Sequence, residues 1–237
     1  MHPFHRHPKP RGLTTPIHSS RYINKAAVSP LPDPPAVTST FASFPLPPQL
    51  TANVLAHGYT TPTPIQDQVI PLALAGRDVV GIANTGTGKT AAFLIPLITK
   101  MFLDKSQRAL IIAPTRELAI QIDTELTSLA KLLSISSLLC IGGGSVNQQS
   151  FSLRYGPRVV IGTVGRLKDL TTRGALSLSH FQTIVIDEVD RMVDIGFIKD
   201  IRFLLSLLPP VRQSLFFSAT VSPDIAGIIH SFLRSPA

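Results

Sequence analysis

Two short stretches of this sequence hold residue types that could handle a triphosphate. Ala83-Asn84-Thr85-Gly86-Thr87-Gly88-Lys89-Thr90 follows an apolar, strand-like run ending at Ile82. Gly86 and Gly88 allow backbone conformations closed to other residues, so successive N–H groups can face a phosphate. A helix opening at Lys89 would add the positive end of its dipole. Lys89 is then placed to reach the β- and γ-phosphates, and the Thr90 hydroxyl to bind Mg²⁺. The generic pattern begins with Gly, where this chain has Ala83. In the second stretch, Thr183-Ile184-Val185-Ile186 leads into Asp187-Glu188-Val189-Asp190. Asp187 could share the Mg²⁺ with Thr90, and Glu188 could position and polarise an attacking water. Alone, such an acidic run is usually a solvated turn. Beside a phosphate loop it implies a site that binds and hydrolyses a nucleoside triphosphate.

These groups need a frame that brings two distant stretches together. Strand-sized apolar runs fall at 78–83, 108–113, 137–141, 158–162, 182–187 and 213–218. Between them lie longer amphipathic segments, including 89–101, 116–133, 198–208 and 223–233. In the second of these, Leu118, Ile122, Leu126 and Leu129 recur at helical spacing. Strands alternating with helices predict an α/β fold, a mostly parallel sheet with helices on both faces. In such sheets ligands bind beyond the carboxyl ends of the strands, where both stretches lie.

Composition sets outer bounds. The 237 residues include 44% hydrophobic side chains, enough for one large buried core. No apolar run approaches the roughly 20 residues of a membrane-spanning helix, and no membrane partner is expected. Of the net charge of +8, five basic residues lie in 1–32, with no acid before Asp33. Residues 1–40 are rich in Pro, His, Ser and Thr and read as a disordered extension, solvated or attracted to phosphate backbones. His2, His5 and His7 are read as solvated rather than metal-binding. A basic, acid-poor N-terminus also suits an organelle presequence, but prolines at 3, 8, 10 and 16 would interrupt its helix. The single Cys140 allows no intrachain disulfide and sits in an apolar strand-like stretch. A reducing, cytoplasmic setting is the expectation.

A family resemblance runs from Phe41 to the C-terminus. Asp187-Glu188-Val189-Asp190 resembles the Asp-Glu-Ala-Asp signature of the DEAD-box ATP-dependent RNA helicases, of bacterial type, with Val189 replacing Ala. Gly58 to Gln66 looks like the Q motif, with Phe41 as the upstream aromatic. Pro114-Thr115-Arg116-Glu117-Leu118-Ala119 resembles motif Ia without change, and Gly142-Gly143 the glycine doublet, followed by Gln149. Thr163-Val164-Gly165-Arg166 resembles motif Ib, with Val164 for Pro. Arg191 to Phe197 resembles the segment after the acidic box, and Ser218-Ala219-Thr220 is similar to motif III.

The resemblance implies a RecA-like fold over 41–237 and a division of labour. Gln66 would read the adenine edge of ATP, with Tyr59 or Phe41 as stacking surface. Pro114, Thr115, Arg116, Gly143, Thr163 and Arg166 would line an RNA path directed at the backbone and indifferent to sequence. Ser218, Ala219 and Thr220 would couple the nucleotide site to RNA unwinding through Asp190. Family members carry a second RecA-like domain, which the chain ending at Ala237 is expected to lack, so weak or no unwinding is expected of it alone. A monomer is expected. The alternatives are a non-catalytic ATP- or RNA-binding fragment and a related motor acting on DNA.

Overall fold

A computed structural model describes residues 36–237; the N-terminal 35 residues, with His2, His5, His7 and the basic cluster, lie outside the described residues. Phe41–Ser43 forms a short 3-10 turn, and helices α1 (Pro48–Ala56) and α2 (Pro64–Leu74) precede the first strand. Then β1 (Val79–Ile82), β2 (Ala109–Ala113), β3 (Ser137–Cys140), β4 (Val159–Thr163), β5 (Thr183–Ile186) and β6 (Gln213–Ser218) alternate with helices. These are α3 (Lys89–Leu103), α4 (Arg116–Leu129), α5 (Val146–Leu153), α6 (Val164–Thr172), the pair α7 (Val189–Asp194) and α8 (Ile198–Ser206), and finally α9 (Pro223–Phe232). The expected strands and helices all appear, their ends shifted by a few residues. Thr38, assigned by sequence to the extension, already donates its N–H to Asp67 Oδ2 at 3.0 Å.

The strands form one six-stranded sheet in the order β1-β6-β5-β2-β4-β3, every pair parallel. Its two faces follow from the two-residue period of extended chain. Ala109, Ile111 and Ala113 point into one core with Val159, Ile161, Val185, Leu215 and Phe217. The alternate residues Leu110, Ile112, Val160, Ile184, Ile186 and Phe216 point into the other. Helices α1 to α4 cover the first face and α5 to α9 the second. Burial on both faces explains why the strands read as continuous apolar runs.

Parallel strands put all six carboxyl ends on one edge. The phosphate loop follows β1, motif Ia follows β2, the glycine doublet follows β3, and Thr163 ends β4. The acidic cluster follows β5 and Ser218 ends β6. Only β6 separates β1 from β5, so the loop after β1 and the acidic cluster after β5 stand about 10 Å apart across two strand spacings.

Candidate nucleotide and nucleic-acid clefts

The phosphate loop turns through Gly86 (φ 83°) and Gly88 (φ 90°). Gly88 is the N-cap of α3, and the left-handed region it occupies costs other L-residues about 1–2 kcal/mol. A Cβ there would also strike the Gln66 side-chain amide. Lys89 is buried and donates from Nζ to Ala83 O at 2.9 Å, closing the loop on itself, while Thr87 Oγ1 donates to Asn84 O at 2.8 Å.

Asp187 leaves β5 only 2% exposed, and burial pushes its carboxyl up to about 6 against a nearby Lys89 that opposes the rise. Its Oδ1 accepts the Glu188 N–H at 3.0 Å. Glu188 has a left-handed backbone (φ 53°, ψ 53°) and accepts from Arg191 Nη1 at 3.2 Å. A non-glycine residue held there marks local strain, a feature that clusters at functional sites. Val189, the departure from Ala, is fully buried with Met192 in the second core, so the larger side chain fills space under α7.

One cleft of ≈ 210 Å³ gathers Tyr59, Thr85, Gly86, Gly88, Lys89, Thr90, Asp187 and Glu188. Ala83, Asn84 and Thr87 belong to the loop but not to the cleft wall. Gln66 is 2% exposed and spends its amide on structure. Its Oε1 accepts the Thr63 N–H at 2.9 Å and its Nε2 donates to Gly88 O at 3.1 Å, so it braces the loop against the start of α2. Phe41 is buried behind Tyr59, the ring centroids 6.2 Å apart and nearly parallel; between the two candidate stacking residues, Tyr59 is the one that lines the cleft. The Tyr59 hydroxyl donates to Glu125 Oε1 at 2.7 Å, and burial pushes the Glu125 carboxyl above its ordinary range. Leu118, Gln121 and Glu125 of α4 also wall this cleft. No motif singled out Gln121 or Glu125, although their spacing from Leu118 puts all three on one helical face.

A second cleft of ≈ 590 Å³ is lined by Pro114, Thr115, Arg116, Thr163 and Arg166, with Gly142, Gly165, Asp169 and Phe197. Gly143 (φ 81°) is not on its wall, but a Cβ at Gly143 would strike the Arg116 guanidinium. Thr115 caps α4, accepting the Leu118 N–H at 3.2 Å. Arg166 donates to Gly144 O at 3.2 Å and to Gln149 Oε1 at 2.8 Å, and Gln149 donates to Ile141 O at 3.0 Å. The loop after β3 is thereby pinned to the start of α6. Val164 is buried at the first position of α6, so the helix forms without the family's proline.

The two halves meet at Asp190. Its Oδ2 accepts the N–H groups of Ala219 (2.9 Å) and Thr220 (3.1 Å) and the Thr220 hydroxyl (3.4 Å). Its own N–H donates to Ser218 Oγ at 3.3 Å, and that hydroxyl donates to Thr220 O at 2.7 Å. The hydrogen bond expected between Asp190 and the Ser218–Thr220 segment is present. The profile of the DEAD/DEAH box helicase family matches residues 63–228, which contain the larger cleft, this junction and every residue of the nucleotide cleft wall except Tyr59.

The chain belongs to the DEAD/DEAH box helicase family. It is 44% identical over 197 residues to the ATP-dependent RNA helicase CshA of Listeria monocytogenes, covering 83% of this chain and 38% of that protein. It is 42% identical over 199 residues to the DEAD-box ATP-dependent RNA helicase CshA of Geobacillus kaustophilus, covering 84% and 43%. The crystal structure of a DEAD box protein from the hyperthermophile Methanococcus jannaschii superposes with a TM-score of 0.80 at 34% identity, over 84% of this chain and 55% of that one. A hypothetical ATP-dependent RNA helicase from Sulfolobus tokodaii superposes with a TM-score of 0.75 at 31% identity, over 80% and 55%. This DEAD-box domain thus spans about two-fifths of the curated relatives it matches, and its sheet is the RecA-like sheet of the family.

Proposed function

We propose that this chain is an ATP-binding and RNA-gripping lobe of an ATP-dependent RNA helicase, hydrolysing ATP to remodel RNA duplexes. The observation that carries the reading is that one helix walls both clefts. The start of α4 supplies Thr115 and Arg116 to the larger cleft, and its first three turns supply Leu118, Gln121 and Glu125 to the nucleotide cleft. A shift of α4 on occupation of one cleft necessarily changes the wall of the other.

In this reading the loop N–H groups and Lys89 bind the phosphates, Lys89 exchanging its bond to Ala83 O for one to phosphate. Glu188, oriented by Arg191, holds the attacking water. Tyr59 offers its ring to the base. Adenine selection rests on Gln66, whose second amide N–H and second carbonyl lone pair remain after its two internal bonds. Thr90 and Asp187 would hold Mg²⁺, which would neutralise phosphate charge. Two protein oxygens suit an ion that keeps waters and phosphate oxygens as its other ligands, and among the described residues no cluster of three or more His, Cys, Asp or Glu could hold a metal unaided. Arg116, Arg166, Thr115 and Thr163 face the sugar-phosphate backbone, which carries no sequence information. The relatives carry more chain than this one, and we propose that efficient strand separation needs that further part.

Phosphate release measured with RNA, with DNA of the same length and without nucleic acid tests the reading. RNA should stimulate it most, and Glu188→Gln should abolish turnover while ATP still binds. Unchanged turnover in Glu188→Gln would remove the water-positioning role, and equal stimulation by DNA would move the substrate class.

A further inference from the structure

Helix α5 leaves an outward face that none of the proposed roles uses. Asn147, Gln148 and Phe151 of α5 are exposed, and so are Arg154 and Tyr155 in the turn that follows it, at the spacing of one side of a helix. Phe151 is 55% and Tyr155 76% exposed, and their rings pack edge to face at 5.3 Å. Two large rings held together in water need an explanation, since burying either in the second core would be favourable.

Charge and position name the occupant. No aspartate or glutamate lies between Glu125 and Asp169, whereas Lys131, Arg154, Arg158, Arg166 and Lys168 all do; Lys168 is paired with Asp200 and Arg158 is bonded to Met101 O and Asp104 O, so the cations that bear on α5 are Arg154 and Arg166. Among the described residues, Arg154 and Arg166 pair with no carboxylate. The same α5 carries Gln149, which is bonded to Arg166 on the wall of the larger cleft. The eight residues of α5 span about 12 Å, roughly two nucleotides of extended strand. An exposed, unpaired arginine close in sequence to two contacting aromatic rings is what a single-stranded nucleic acid uses, its phosphates on the charge and its bases on the rings.

We infer that single-stranded RNA leaving the larger cleft continues over the outer face of α5, stacking bases on Phe151 and Tyr155 with Arg154 on the intervening phosphate. This rests on the reading of the larger cleft as an RNA path and extends it. The rings would contribute affinity without sequence preference, since every base has a face to stack.

The test uses the full chain and two oligouridylates, one long enough for the cleft alone (about 5 nucleotides) and one about 15 nucleotides long. Phe151→Trp places a tryptophan in a chain that has none, and its fluorescence should be quenched saturably by the long RNA. Phe151→Ala with Tyr155→Ala should weaken the long RNA about fivefold or more per ring and leave the short one unchanged, while Arg166→Ala weakens both. If Arg166→Ala weakens both RNAs but the aromatic variants bind as wild type and the tryptophan is unquenched, the α5 inference is overturned and the cleft reading stands; a protein ligand then becomes the candidate for that face. If the wild type binds neither RNA, the cleft reading falls and the inference with it.

Discussion

Asp190→Asn replaces one oxygen by an NH₂ group and leaves side-chain shape almost unchanged, so its effect isolates the charge and acceptor pattern of the junction. In the folded chain Oδ2 accepts from Ala219 N, Thr220 N and Thr220 Oγ1, while Oδ1 accepts from Arg191 N at 3.0 Å. An asparagine oxygen can serve one side only. It should take the crowded Oδ2 side, which leaves its NH₂ facing the Arg191 N–H, donor against donor. A hydrogen bond to a charged acceptor contributes about 1.5–3 kcal/mol and one to a neutral acceptor about 1. The Ala219 and Thr220 main-chain bonds are weakened in this way, while the exposed Arg191 N–H and the Thr220 hydroxyl can turn to water, so at these partly exposed positions the loss should be about 1–2 kcal/mol. Urea unfolding at neutral pH should show a midpoint lower by roughly 0.5 M at unchanged slope. Ser218→Ala removes the two bonds that the Ser218 hydroxyl makes at the junction, and the double variant should show a coupling of at least about 0.5 kcal/mol. ATP affinity should hold while RNA stimulation of hydrolysis falls. A stability change under about 0.3 kcal/mol, with additive single variants, would show that the junction does not tie the start of α7 to the end of β6.

Further predictions address single groups. Gly88→Ala should lose about 1–2 kcal/mol from the forced left-handed backbone and should also lose ATP binding, because the new Cβ displaces the Gln66 brace; calorimetric ATP titration and thermal melts read the two effects. Cys140 is fully buried and its thiol is pushed up to about 12 by burial, so it should resist iodoacetamide at pH 8 in the folded chain and react only in denaturant. Burial raises the Glu125 carboxyl above its ordinary 4.5. A group whose folded pKa lies above its unfolded value contributes stability that is fully present below the unfolded value and lost as pH rises through the folded one. Glu125→Gln can still accept the Tyr59 hydroxyl, so it should be more stable than wild type at pH 8, and the gap should close as pH falls toward 4.5. Melting curves across that range, with a constant gap, would refute it.

What could be read along the chain was whatever depends on neighbours in sequence. The phosphate loop, the glycines at its positive-φ turns, the apolar strands and the capping Thr115 are local, because a few consecutive residues set their backbone. Their motif order carried the family, and the parallel sheet followed from strands alternating with helices. Only the tertiary structure decided which groups share a wall. Gln121 and Glu125 reach the nucleotide cleft because α4 crosses the first sheet face, and helical spacing marks a face without naming its neighbour. Phe41 went behind Tyr59 because an apolar ring gains by leaving water, and Gln66 turned onto Gly88 O because a buried amide must find a polar partner. The strand order β1-β6-β5 set Lys89 beside Asp187 and joined Asp190 to Ser218. Hydrogen bonding between strands distant in sequence set that order, so the site was assembled across the sheet.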